Sequence, residues 1–134
     1  MRTKPSLDLA DAKTVAAAAG AAAREFKLAL SIAIVDDAGG LVFLERMDGA
    51  RAFSTEIAIR KARTSASLGA PTRVVAERLA GRPFPLGDMM AIPGGVPIIS
   101  GGQVAGAIGV SGAQAEDDDK VAEAGAKALA GSAP

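Results

Sequence analysis

Apolar residues in this chain form short alternating runs and longer helical stripes, separated by glycine and proline. The most informative stretch is Gly94–Gly112, where the apolar runs Val96–Ser100 and Gln103–Ser111 flank Gly101-Gly102. A Gly-Gly pair takes the positive φ angles of a tight turn without steric cost, which predicts an antiparallel hairpin. In its second strand Val104, Ile108 and Val110 share a face with Gly106, while Ala105, Ala107, Gly109 and Ser111 share the other. A face this bare implies close approach by a helix, a partner subunit or a ligand.

A second hairpin is predicted in Leu30–Asp37 and Leu41–Met47, around Asp37-Ala38-Gly39-Gly40. Its first strand is apolar on both faces, through Ile32 and Ile34 on one side and Ala33 and Val35 on the other, and is therefore expected to be central. Asp8 is a candidate N-cap for an alanine-rich helix running to about Phe26, with Leu7 packing back on its first turn. Gly20 inside that helix suggests a close backbone crossing. Phe53–Leu68 reads as a helix with Phe53, Ile57 and Lys61 on one stripe, stopped by Gly69 and Pro71. Thr72 is positioned to cap a short helix from Arg73 to about Ala80, and Arg82–Gly87 is a loop. Asp88–Ile92 is read as a further short strand. A last helix follows Ala113–Ala115, with Val121, Ala122, Gly125 and Leu129 inward, and Gly131–Pro134 is a frayed end.

Hairpins interleaved with helices predict an α+β domain covering residues 1–134, an antiparallel sheet with helices layered on it. The surplus apolar strand surface calls for a cover, for which a partner subunit is the economical choice.

Fifteen basic and fifteen acidic residues leave no net charge, so there is no support for nucleic-acid binding. Cysteine, histidine, tyrosine and tryptophan are absent, which removes disulfides, thiol nucleophiles and the commonest metal ligands and general bases. No metal site is expected. The run Ala16–Ala23 is too short for a membrane span and lacks the basic start of a secretory signal, so no membrane association and a cytoplasmic location are expected.

Among the remaining charged groups, Arg46 ends a strand and Lys61 lies on a semi-apolar stripe. Brought into one cleft they would bind a carboxylate or phosphate, whereas Glu45 and Asp48 could instead make them part of an ion-pair cluster. Gly94-Gly95 could offer bare N–H groups to an anion, or serve only as a bend. Ser111 lies between Gly109 and Gly112 like a nucleophile flanked by glycines, but has no histidine to activate it. Glu116, Asp117, Asp118 and Asp119 suit the positive end of a helix; a solvated helix start and a cation site are the two readings.

Ile32-Ala33-Ile34-Val35-Asp36, Gly39-Gly40, Glu45-Arg46-Met47-Asp48-Gly49-Ala50, Glu56-Ile57-Ala58, Lys61-Ala62, Gly69, Pro71-Thr72, Gly94-Gly95-Val96-Pro97-Ile98 and Gly106-Ala107-Ile108-Gly109-Val110-Ser111-Gly112 occur in this order. The combination resembles the GlcG/HbpS-like haem-binding family, a domain related to the C-terminal domain of PduO-type cobalamin adenosyltransferases. The resemblance implies a profilin-like fold with a five-stranded antiparallel sheet of order 2-1-5-4-3, and self-association into dimers or larger oligomers up to octamers. It also implies haem as a cofactor or ligand. Histidine, cysteine and tyrosine are unavailable as axial ligands, which leaves methionine, with Met89 and Met90 as candidates that could equally be core filler.

Three functions follow. The first is an oligomeric small-molecule binding protein taking haem or another anionic apolar ligand at Arg46, Lys61, Gly94 and Gly95. The second is a small isomerase or lyase moving a proton on an organic acid, with Lys61 or Glu45 as acid or base and Arg46 as the carboxylate clamp. The third is a ligand-free accessory or assembly protein.

Overall fold

Strand β1 (Ser31–Asp36) is buried on both faces from Ser31 to Val35, as its two apolar faces predict. The computed structural model describes residues 1–83 and 85–129, so the predicted frayed end lies outside the described residues. Helix α1 (Leu9–Glu25) precedes β1, and β2 (Leu41–Arg46) follows it. Then come α2 (Ser54–Leu68), α3 (Thr72–Leu79), β3 (Gly95–Ser100), β4 (Gln103–Ser111) and α4 (Ala115–Lys127).

The sheet has four strands in the order β2-β1-β4-β3, every neighbouring pair antiparallel. This corrects the expected five. The missing strand is Asp88–Ile92, whose backbone makes contacts of another kind: Met90 donates its N–H to Thr64 Oγ1 at 2.8 Å, and Ile92 C=O accepts from Thr72 Oγ1 at 2.6 Å. Without that edge strand, the expected order reduces to the one observed.

Both glycine turns form as predicted, with Gly101 at φ 56° and Gly102 at φ 78° between β3 and β4. Helix α1 starts at a capping box: Asp8 Oδ1 accepts from the Asp11 N–H and Asp11 Oδ2 from the Asp8 N–H. Leu7 is buried and its N–H donates to Ala105 C=O at 2.9 Å, tying the chain start to β4. Thr72, in contrast, is the first residue of α3 and not its cap; its hydroxyl bridges Ile92 and the Gly95 N–H.

Ile32, Ile34, Ile108 and Val110 pack with Val15, Ala19 and Val121 into a core beneath α1 and α4. Burying each large aliphatic side chain contributes about 2 kcal/mol. The other face carries Val35 and Ala107 against Ala62 and Ala66 of α2. The chain's own helices therefore cover both faces of the sheet, and the expected cover by a partner subunit is not required there. Glycine and alanine make this possible. In register across the sheet, Ala33 pairs with Gly109 and Gly109 with Gly95. A Cβ on Gly109 would collide with the backbone of Ala58 and Ala62, and one on Gly95 with the Lys61 carbonyl. The close approach that the bare β4 face implies is thus made by α2. The close helix crossing lies at Gly125 of α4, where a Cβ would be 3.1 Å from Ala19 Cβ and from Val15 O. Gly20 faces only side chains, Arg24 and Glu45, so the backbone crossing expected there is absent.

Candidate functional site

Helix α2 turns Ser54, Ala58, Lys61, Ala62 and Ser65 inward, while Phe53 stays exposed. The stripe that buries Lys61 is therefore made of small residues, which let the helix sit low enough on the sheet for the lysine to reach past it. Lys61 is only 2% exposed. Its Nζ donates to Val110 C=O at 2.9 Å and pairs with Asp118 Oδ2 at 3.2 Å. Asp118 Oδ1 accepts from the Ala113 N–H at 3.0 Å, so both carboxylate oxygens are engaged. Burial pushes the Lys61 amino group below the usual lysine range, and the Asp118 charge opposes that shift. Burial likewise raises the Asp118 carboxyl, against the attraction of Lys61. In both groups desolvation outweighs pairing.

Gly94 and Gly95 lie directly against this pair. A Cβ on Gly94 would stand 2.8 Å from Lys61 Nζ and 2.6 Å from Val110 O. The two glycines make room for the lysine head and the α2 backbone.

Beyond Asp118, Asp119 pairs with Arg73 of α3 at 3.2 Å, and Glu123 pairs with the same guanidinium at 2.7 Å. The carboxylate of Glu123 holds Arg73 above its ordinary range, while burial raises Asp119. The acidic run is thus more than a solvated helix start, since two of its members fasten α4 to α2 and α3. Among the described residues, no group of three or more His, Cys, Asp or Glu side chains is placed to hold a metal ion.

The structure brings Lys61, Gly94 and Gly95 together but leaves Arg46 apart. Arg46 lies on β2 and Gly95 on β3, the opposite edge strands. Three strand spacings separate those edges, about 14 Å. Arg46 is exposed, and none of the cavities described is lined by Arg46, Lys61, Gly94 or Gly95. Sequence reasoning missed Asp118 as the partner of Lys61; the only signal was a buried-stripe lysine and an acidic run in a chain of balanced charge.

Residues 7–127 match the family described as haem degrading protein HbpS-like. The chain belongs to the HbpS-like family. Among HbpS-like relatives, protein GlcG of Escherichia coli K12 is 37% identical over 116 residues, 83% of this chain and 85% of that one. The crystal structure of a double mutant of Streptomyces reticuli HbpS has a TM-score of 0.90 at 36% identity, covering 96% of this chain and 90% of that one. A PduOC–haem complex, with a TM-score of 0.85 at 24% identity, covers 96% of this chain and 99% of that one and shows the shared fold alone. Among the described residues no helix is long and apolar enough to cross a membrane.

Proposed function

We propose that this HbpS-like chain is a small-molecule binding protein for an anionic, carboxylate-bearing ligand, and not a proton-transfer catalyst. The observation that carries the reading is the placement of the two acid–base candidates: Lys61 is 2% exposed with its amino group held by Asp118 and Val110, and Glu45 is exposed on β2 and lines none of the cavities described. A general base must reach the proton that it moves within a site that holds the substrate: Lys61 is enclosed by protein, and Glu45 borders no cavity described. Family membership supports a haem-related compound as the ligand class.

The donor set does not fit a haem held by a strong axial side chain. Histidine, cysteine and tyrosine are absent. Of the methionines, Met47 packs on the core, Met1 is fully exposed, and Met89 and Met90 are half-buried in the segment before β3. The recognition proposed is therefore of the ligand's carboxylates and apolar body, without axial coordination.

Titration with mesoporphyrin and with its dimethyl ester, followed by absorbance, tests the reading. Saturable binding of the free acid and at least about tenfold weaker binding of the ester are expected, the loss of charge-assisted hydrogen bonds being worth that much. Absence of binding by porphyrins and small carboxylates alike overturns it. Self-association belongs to the same proposal, supported by the exposed apolar side chains of Leu41, Phe53 and Ile99. Sedimentation at the mass of one chain overturns that part.

A further inference from the structure

At one end of the sheet, Ser31 pairs in register with Ser111, and Ser31 Oγ lies 2.7 Å from Ser54 Oγ at the start of α2. Ser54 Oγ also donates to Arg51 C=O at 2.6 Å. Ser111, on the same face as Ser31, has no such partner. It is 6% exposed, and its hydroxyl makes no hydrogen bond among the described residues. Among the described residues no fully buried side-chain polar atom lacks a partner, so this hydroxyl, in a residue otherwise largely enclosed, keeps its access to solvent on the side where Ser111 lines a cavity.

That hydroxyl borders a cavity of about 340 Å³, lined also by Arg51, Phe53, Ser54, Gly112 and Gln114. The N-terminal ends of two helices meet there. Neither α2 nor α4 has a side-chain cap. The N–H groups of Glu56 in α2, and of Ala115 and Glu116 in α4, donate no hydrogen bond among the described residues. Arg51 is exposed and pairs with no carboxylate among them. One exposed guanidinium, an unpartnered hydroxyl of a largely enclosed serine and two helix starts without side-chain caps form a set of donors with no acceptor of their own among the described residues.

We propose that this cavity binds the carboxylate of a small organic acid, with Arg51 and Ser111 Oγ as its side-chain donors. The site rests on the binding reading above and assigns it a place. A monoanion is favoured over phosphate because α4 carries Glu116 and Asp117 in its first turn, and their charges repel a second negative charge more than one arginine offsets. The exposed Phe53 ring forms an apolar wall, which suits a short hydrocarbon tail. The volume is within the range of small-molecule sites.

The test uses the full chain, titrated with sodium butyrate at constant ionic strength and followed by amide NMR. Saturable shifts at Glu56, Ala115 and Glu116 are expected. Arg51→Gln should weaken butyrate binding at least about tenfold without moving the unfolding midpoint, and Ser111→Ala should weaken it several-fold. Gln114→Asp, which supplies a resident carboxylate, should abolish it. The site is overturned by absent or non-saturable shifts, by butyrate binding unaffected in Arg51→Gln, or by inorganic phosphate binding as well as butyrate. Mesoporphyrin bound by a protein that ignores butyrate sinks this site alone; if neither binds, the broader reading goes with it.

Discussion

Lys61 and Asp118, 57 residues apart in the chain, meet as a buried 3.2 Å ion pair that joins α2 to the first turn of α4. Both side chains are about 3% exposed, so water contributes little to either charge. Val110 C=O and the Ala113 N–H complete the cluster.

Burial disfavours the charge on each partner more than the pairing favours it. Lys61→Met or Asp118→Asn alone should therefore each cost about 1 kcal/mol, the typical worth of the hydrogen bond lost, and the double replacement should match the wild type or exceed it. Urea unfolding of the three variants measures the coupling directly. Single and double variants that lose equal stability would show that the lost packing matters and not the pair.

The pair also predicts a pH dependence. Asp118 is raised by burial, so as pH falls through its raised value towards about 4 the folded state takes up the proton first and gains stability. Lys61 is lowered by burial, so as pH rises from its lowered value towards about 10 the folded state releases the proton first and again gains stability. Wild-type stability relative to the double variant should therefore be lowest between these windows and rise on both sides. A relative stability that peaks near neutrality contradicts both directions.

Gly109→Ala tests the close seat of α2 on the sheet. The added methyl meets the backbone of Ala58 and Ala62, which cannot turn aside as a side chain can. The expected loss is about 3 kcal/mol, the upper part of the range for overpacking. Gly87→Ala, where a Cβ meets nothing within 4 Å, serves as the control and should move the unfolding midpoint little.

Thr72→Val keeps the shape of the side chain and deletes its hydroxyl. The Gly95 N–H and Ile92 C=O then lose the partner that bridges them. A loss of about 2 kcal/mol is expected by chemical denaturation, largely recovered in Thr72→Ser. Equal losses in the two variants would place the effect in packing.

Local chemistry carried most of the fold. The glycine turns at Gly39-Gly40 and Gly101-Gly102, the Asp8 cap and the doubly apolar run of β1 were legible because each depends on neighbours within a few residues. The strand expected at Asp88–Ile92 was not, since its backbone groups are taken by Thr64 and Thr72 from a distance. The bare face of β4 announced a close neighbour without saying which, and packing chose α2.

The candidate site divides in the same way. Sequence alone determined the inventory of charged groups, the absence of histidine and cysteine, and the placement of Arg46 at a strand end and Lys61 on a helix. Only the tertiary structure decided that Lys61 faces Asp118, that Arg46 stands on the far edge strand, and that Ser111 and Arg51 border one cavity. Strand order and helix seating set which distant charges meet, and those depend on how whole faces pack, a property that no local stretch of residues encodes.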